Sequence, residues 1–321
     1  MEWSFEAYVT AALFERDGQA VFAAGDGQVR WEDGTTVRAH DGAILCAVRH
    51  PTSEGVVTGG DDGRLVWSRR AGTDVLAEAP GRWIDGLAAA PGGLIAFAVG
   101  REARVIDVGD PKFLRVFVHE KTVADLAFDA KGRRLAAATY GGAALWYAKI
   151  ADQKPVMLRW AGSHIAAAFS PDGRFLVCAM QENALHGWRL ADGKDMRMGG
   201  YPAKPRSLAF LEGGRMLATS GANGVVLWPF VGADGPMGKQ AQEIGFDEAS
   251  LVTRVAVDAA GSALAAGLDD GRVWQADVRS GRRADLKAQK GAAITALSIS
   301  QSRVAWGDEA GGAGVIDRVT L

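Results

Sequence analysis

Val123-Ala124-Asp125-Leu126-Ala127-Phe128-Asp129-Ala130-Lys131-Gly132 and Val252-Thr253-Arg254-Val255-Ala256-Val257-Asp258-Ala259-Ala260-Gly261 share one pattern. Apolar residues stand first, fourth and sixth, an Asp stands seventh and a Gly tenth. A short apolar run that ends in an Asp and a Gly predicts a β-strand entering a turn. Working outward, similar runs of four to eight residues rich in Val, Leu, Ala and Phe alternate with Gly, Asp and Asn along the whole chain. This rhythm predicts an all-β protein made of one repeated unit.

The first apolar positions of the units are Val9, Ile44, Ile84, Val123, His164, Pro205, Val252 and Ile294. Their spacings are 35, 40, 39, 41, 41, 47 and 42 residues, close to the ~40–45 that one four-stranded propeller blade requires. The wide spacing before Val252 is absorbed by Val231-Gly232-Ala233-Asp234-Gly235-Pro236, read as an expanded loop. Asp26-Gly27, Asp62-Gly63, Asn223-Gly224 and Asp270-Gly271 fall after the second strand, where such pairs predict two-residue type I′ hairpins. As calcium loops they carry too few acidic oxygens. In the third strand Trp31, Trp67, Trp146, Trp188 and Trp228 share one register, with Trp274 two residues earlier on the same face. Large rings there are expected to fill the wedge between neighbouring blades.

These residues resemble the WD40 repeat family, and the resemblance runs over essentially the whole chain. Unit two matches best: His40, Thr58, Asp62 and Trp67 stand where that family's structural tetrad forms its hydrogen bonds. Phe169-Ser170-Pro171-Asp172-Gly173 resembles the family's first interstrand turn. The dipeptide that names the family is degenerate here, as in Trp31-Glu32 and Trp67-Ser68. The resemblance implies a single β-propeller domain over residues 1–321. Eight four-stranded blades are expected, with seven as the alternative. The last unit supplies three strands, and Glu2 to Glu6 form a spare segment, so an N-terminal strand is expected to complete the last blade and close the ring.

With 321 residues, 48% apolar composition and 36 basic against 38 acidic residues, the chain can bury a large core and has no bulk attraction for nucleic acid or anionic membrane. The acidic opening Glu2-Trp3-Ser4-Phe5-Glu6 lacks the features of a signal peptide, and no run reaches the roughly 20 apolar residues of a membrane span. A cytoplasmic, monomeric protein is expected. Cys46 and Cys178 are read as reduced thiols.

No catalytic motif emerges. His40, His50, His119, His164 and His186 match no metal spacing, so neither a metal nor a cofactor is expected; His164 is placed in a solvent-facing loop. Asp61, Asp62, Glu182, Asp269, Asp270 and Glu309 are read as solvated turn residues rather than as an acid and base pair. Propellers of this kind bind on the face made by the loops entering the innermost strands and by the hairpin turns. There the chain offers Arg82, Trp83, Lys121, Tyr140, Tyr201, Lys204, Arg206 and Arg254, among which Trp, Tyr and Arg are the side-chain types that dominate interface energetics. A non-catalytic scaffold or adaptor for a protein or peptide partner is therefore expected. The alternative is a hydrolytic or quinone-dependent propeller enzyme acting at the central channel.

Overall fold

The computed structural model describes residues 1–321. Every ladder is antiparallel, and the one helical element is a single 3₁₀ turn at Glu212–Gly214. No helix is long and apolar enough to cross a membrane. The strands form a β-propeller, in which each unit runs from an inner strand at the axis to an outer strand at the rim.

The ladders join into seven continuous sheets, six of four strands and one of six. Eight separate four-stranded blades are thus corrected to seven sheets, the alternative count. The wide sheet has a local cause. Its strands Arg134–Tyr147 and Val156–Phe169 are each 14 residues long, which fully extended would separate their ends by about 45 Å. Instead the Ala148 N–H donates to the Arg133 carbonyl at 2.9 Å, so the first of them doubles back on itself. The second bends near Gly162, whose φ of 117° suits only glycine. Residues 156–159 pair with 142–145, and residues 164–169 pair with the next strand, Phe175–Met180. A bridge between Tyr140 and Ser163 joins the two halves. The fourth and fifth repeat units therefore run together through extended backbone where the other units are separated by loops.

Closure follows the expected route. Glu2–Ser4 pairs with Gly312–Asp317 in the register Glu2 to Gly314, Trp3 to Ala313 and Ser4 to Gly312. This covers the edge that the last unit would otherwise expose. The segment is anchored in apolar packing: Phe5 is buried, and the Trp3 ring lies 5.3 Å from that of Phe22 in the first unit.

Between units the cores are continuous. Trp31 packs with Val21 and Val29 of its own unit and with Ile44, Val56 and Val66 of the next. Trp274 packs instead with Val255 of its own unit and with Leu211 and Leu227 of the preceding one. It stands three residues after its turn glycine where Trp31 stands four, so the expected shared face is corrected to the opposite one, and both rings fill radial wedges. The Asp-Gly turns differ from expectation. Asp26, Asp62 and Asp270 do not have positive φ, whereas Gly27, Gly63 and Gly271 do. Each of these glycine N–H groups donates to the carbonyl three residues earlier. The bend is a four-residue turn with glycine last, not a type I′ hairpin. At Gly63 a β-carbon would come within 2.3 Å of the Ala79 carbonyl oxygen, so this turn can press against the loop entering the next unit.

Phe5→Ala should destabilise the protein by about 3 kcal/mol or more, and deletion of residues 2–6 should lower the melting temperature further. An unchanged calorimetric melt for the deletion would refute the closure.

Candidate functional site

The inner strands pose a problem of hydrogen bonding, because one edge of each faces the channel with no strand beside it. Side chains from neighbouring inner strands answer it. The hydroxyls of Thr10, Thr253 and Thr295 donate to the carbonyls of Ile44, Ile294 and Val9 at 2.7–2.8 Å. Ser207 donates to the Val255 carbonyl at 2.8 Å and accepts from its N–H at 3.1 Å. The Cys46 thiol donates to Ile84, and the Ala167 N–H donates to Asp125 at 2.8 Å. Arg254 donates through Nε to Thr295 at 2.6 Å. Bulges within these strands, between Val9 and Ala11 or between Val252 and Arg254 for example, set the polar side chains at the rim.

Enclosure in this wall perturbs the titrating groups. Burial pushes the Cys46 thiol up to about 12 and the Asp125 carboxyl up to about 6, the latter despite the Ala167 N–H. Asp85, on the inner strand's approach in unit three, is also raised by burial. Burial, followed by the charge of Arg206, brings the Arg254 guanidinium down to about 10. Both cysteines are free thiols.

The rim residues expected from the sequence divide into two groups. Arg82, Lys121 and Arg206 are exposed, and Trp83 and Tyr140 are each 63% exposed. Lys204 and Arg254 are half-buried. Tyr201 is a correction: it is buried, its hydroxyl lies 2.7 Å from Thr219 Oγ1 and it accepts the Trp228 indole N–H at 2.7 Å. Burial, against those two bonds, raises its phenol to about 12. It is therefore part of the packing of unit six and not a surface residue. Ser207 and Val255 join the inner strands of units six and seven, and so bring Arg206 and Arg254 together.

In unit two, His40 Nδ1 lies 2.9 Å from Asp62 Oδ1, and His40 Nε2 lies 2.8 Å from Thr58 Oγ1. Burial opposes the Asp62 charge, but His40 and the N–H groups of Arg64 and Asp41 outweigh it and hold the carboxyl below its usual pKa. Trp67 stands outside this network and corrects the expected tetrad to a triad. Its indole donates to the Glu54 carbonyl at 2.9 Å, and its ring stacks on His50 at 4.5 Å. In unit six Tyr201 takes the place of the histidine against Thr219, but there the Trp228 indole joins the network and no carboxylate does.

Two further readings change. Asp61, Glu182, Asp269 and Glu309 are not simply solvated: they accept from the N–H groups of Ala43, Ser163, Leu251 and Ala293, each beside the start of an inner strand. The signal was present as an acid recurring at one place in the repeat. His164 does not face solvent. It is fully buried with His186, over which Trp160 stacks at 3.8 Å, while Asp195 lies 3.2 Å from His186 Nε2. Burial outweighs Asp195 and takes His186 down to about 4. No three metal-ligating side chains converge anywhere in the molecule.

Against this geometry, the family model of the WD domain, G-beta repeat, matches residues 31–67. A crystal structure of the computationally designed Ika8 protein has a TM-score of 0.80 at 20% identity, with 98% of each chain covered. That likeness concerns the fold alone. No curated protein matches the chain.

Thr58→Val leaves His40 Nε2 buried without its partner and should cost about 1–3 kcal/mol, more than Trp67→Phe. Equal denaturation midpoints for the two variants would break the triad reading. The His186 pKa lies below its ordinary 6.5 in the folded state, so the unfolded chain binds more protons between about 4 and 6.5. Stability contributed by neutral His186 should fall as pH drops through that window. Melting curves of the wild type and His186→Phe should therefore diverge on acidification, and parallel curves would contradict it.

Proposed function

The chain is a WD40-type β-propeller, and from that premise we propose that it is a non-catalytic scaffold binding a protein or peptide partner on the face of the loops that enter the inner strands. One observation carries the reading: Trp83 holds 63% of its surface in water on a short, well-anchored loop. The next residue, Ile84, is fully buried and its N–H is bonded to the Gly60 carbonyl. An indole left open on a rigid support retains a large apolar area to bury against a partner, at little cost in ordering. Arg82 beside it, and Tyr140, Lys121 and Arg206 on other units, add side chains suited to an interface.

The near balance of acidic and basic residues favours a protein partner over nucleic acid or an anionic membrane. An enzyme acting at the channel is the second reading, and Asp125 is what favours it, because a carboxyl held at about 6 suits proton transfer near neutral pH. Asp125 is, however, already bonded to the backbone of the next unit, which is a structural use of the same group.

The Trp83→Ala, Arg206→Ala double variant should melt like the wild type and lose partners that the wild type retains in a pull-down. Retention of every partner would remove the proposed surface.

A further inference from the structure

Of the 26 arginines in this chain, twelve form ion pairs with carboxylates and fourteen do not. Arg206 and Arg254 are among the fourteen, and they are neighbours at the channel. Arg254 is half-buried in the wall, where its Nε and Nη1 reach only the carbonyls of Thr295 and Thr253, at 2.6 and 3.0 Å. Two carbonyls leave most of its five N–H donors without a protein acceptor and its charge without a counter-charge. Enclosed charges are normally paired, because removing a cation from water is costly. Arg206 adds a second positive charge where a carboxylate would be expected, and that charge, after burial, lowers the Arg254 pKa. Lys204, half-buried two residues away, also forms no ion pair. The acids of the inner ring, Asp85 and Asp125, belong to units three and four and pair with none of these cations.

We infer that Arg254 and Arg206, with Lys204 at the lip, form an oxyanion site at the mouth of the channel that receives a carboxylate or phosphate group. A guanidinium held by its Nε and one Nη still presents the other Nη as a donor, the geometry that charge-assisted binding of an oxyanion uses. The inference rests on the partner-binding face proposed above and specifies the chemistry of what enters its centre: a negatively charged group on the partner.

The test is a titration of the full chain at constant ionic strength with inorganic phosphate and, separately, with succinate. It is read by the ¹⁵N resonance of Arg254 Nε and by the melting temperature. At least one of the two anions should shift that resonance saturably and raise the melting temperature. Response to succinate identifies a carboxylate site, and response to phosphate alone identifies a phosphoryl site. Arg206→Gln, whose native side chain makes no hydrogen bond and so should not disturb folding, should weaken binding by about tenfold. Arg254→Gln with Arg206→Gln should abolish it, whereas Trp83→Ala should leave it unchanged. No saturable shift with either anion, or equal binding by Arg206→Gln, would overturn the site. Because Trp83→Ala tests the partner surface without touching the cations, loss of the anion site and loss of that surface are separate results.

Discussion

A propeller depends on what happens at its innermost edge. Each sheet begins with a strand that has a partner on only one side, and several such edges converge on one axis, where another strand cannot fit. Here the unpaired carbonyls and N–H groups are met by Thr10, Cys46, Asp125, Ser207, Thr253, Arg254 and Thr295, each reaching across to the next inner strand. These short links hold adjacent units in register at the axis, while the buried tryptophans occupy the space that opens between units toward the rim. Leaving such backbone groups without partners would cost about 1–3 kcal/mol each wherever water is excluded.

The same constraint shapes the chemistry of the channel. A threonine satisfies a carbonyl and leaves nothing over, but an arginine in that role brings a charge and further donors. Units one, two, six and eight reach the next unit through neutral hydroxyl and thiol groups, whereas Asp125 of unit four and Arg254 of unit seven, the latter beside Thr253, place charges in the wall. The two signs fall on different units, so the mouth of the channel is electrically asymmetric. Partner recognition would then combine apolar burial at Trp83 with charge selection at the axis, and neither requires the backbone to move.

Several residues that look functional in one dimension are used by the fold. Tyr201 resembles an interface tyrosine on a loop, yet its hydroxyl lies between Thr219 and Trp228. The turn acids Asp61, Glu182, Asp269 and Glu309 resemble a solvated acidic rim but hold the entrances of the inner strands. Trp67 resembles a member of the triad's network but bonds to Glu54 on its own unit's first turn. In each case the residue type was readable and its partner was not, because the partner lies in a different strand, turn or loop whose approach depends on the local bend. Exposed Trp83, Arg82, Lys121 and Arg206 were legible because loop position alone sets their access to water, while Tyr140 is exposed although it lies within the strand Arg134–Tyr147.

The all-β class, the repeat, its period and the closing role of residues 2–4 were determined by the sequence, because apolar periodicity and turn residues act locally and an unmatched strand must find the one unmatched edge. Tertiary structure decided the rest: that units four and five share one sheet, that the triad excludes Trp67, and that Arg206 and Arg254 meet without a carboxylate. Those outcomes depend on how separate segments approach one another, Tyr140 and Ser163 within one sheet, Trp67 and Glu54 within one unit, and the strands of Arg206 and Arg254 between two units, and such approaches exist only once the strands have packed.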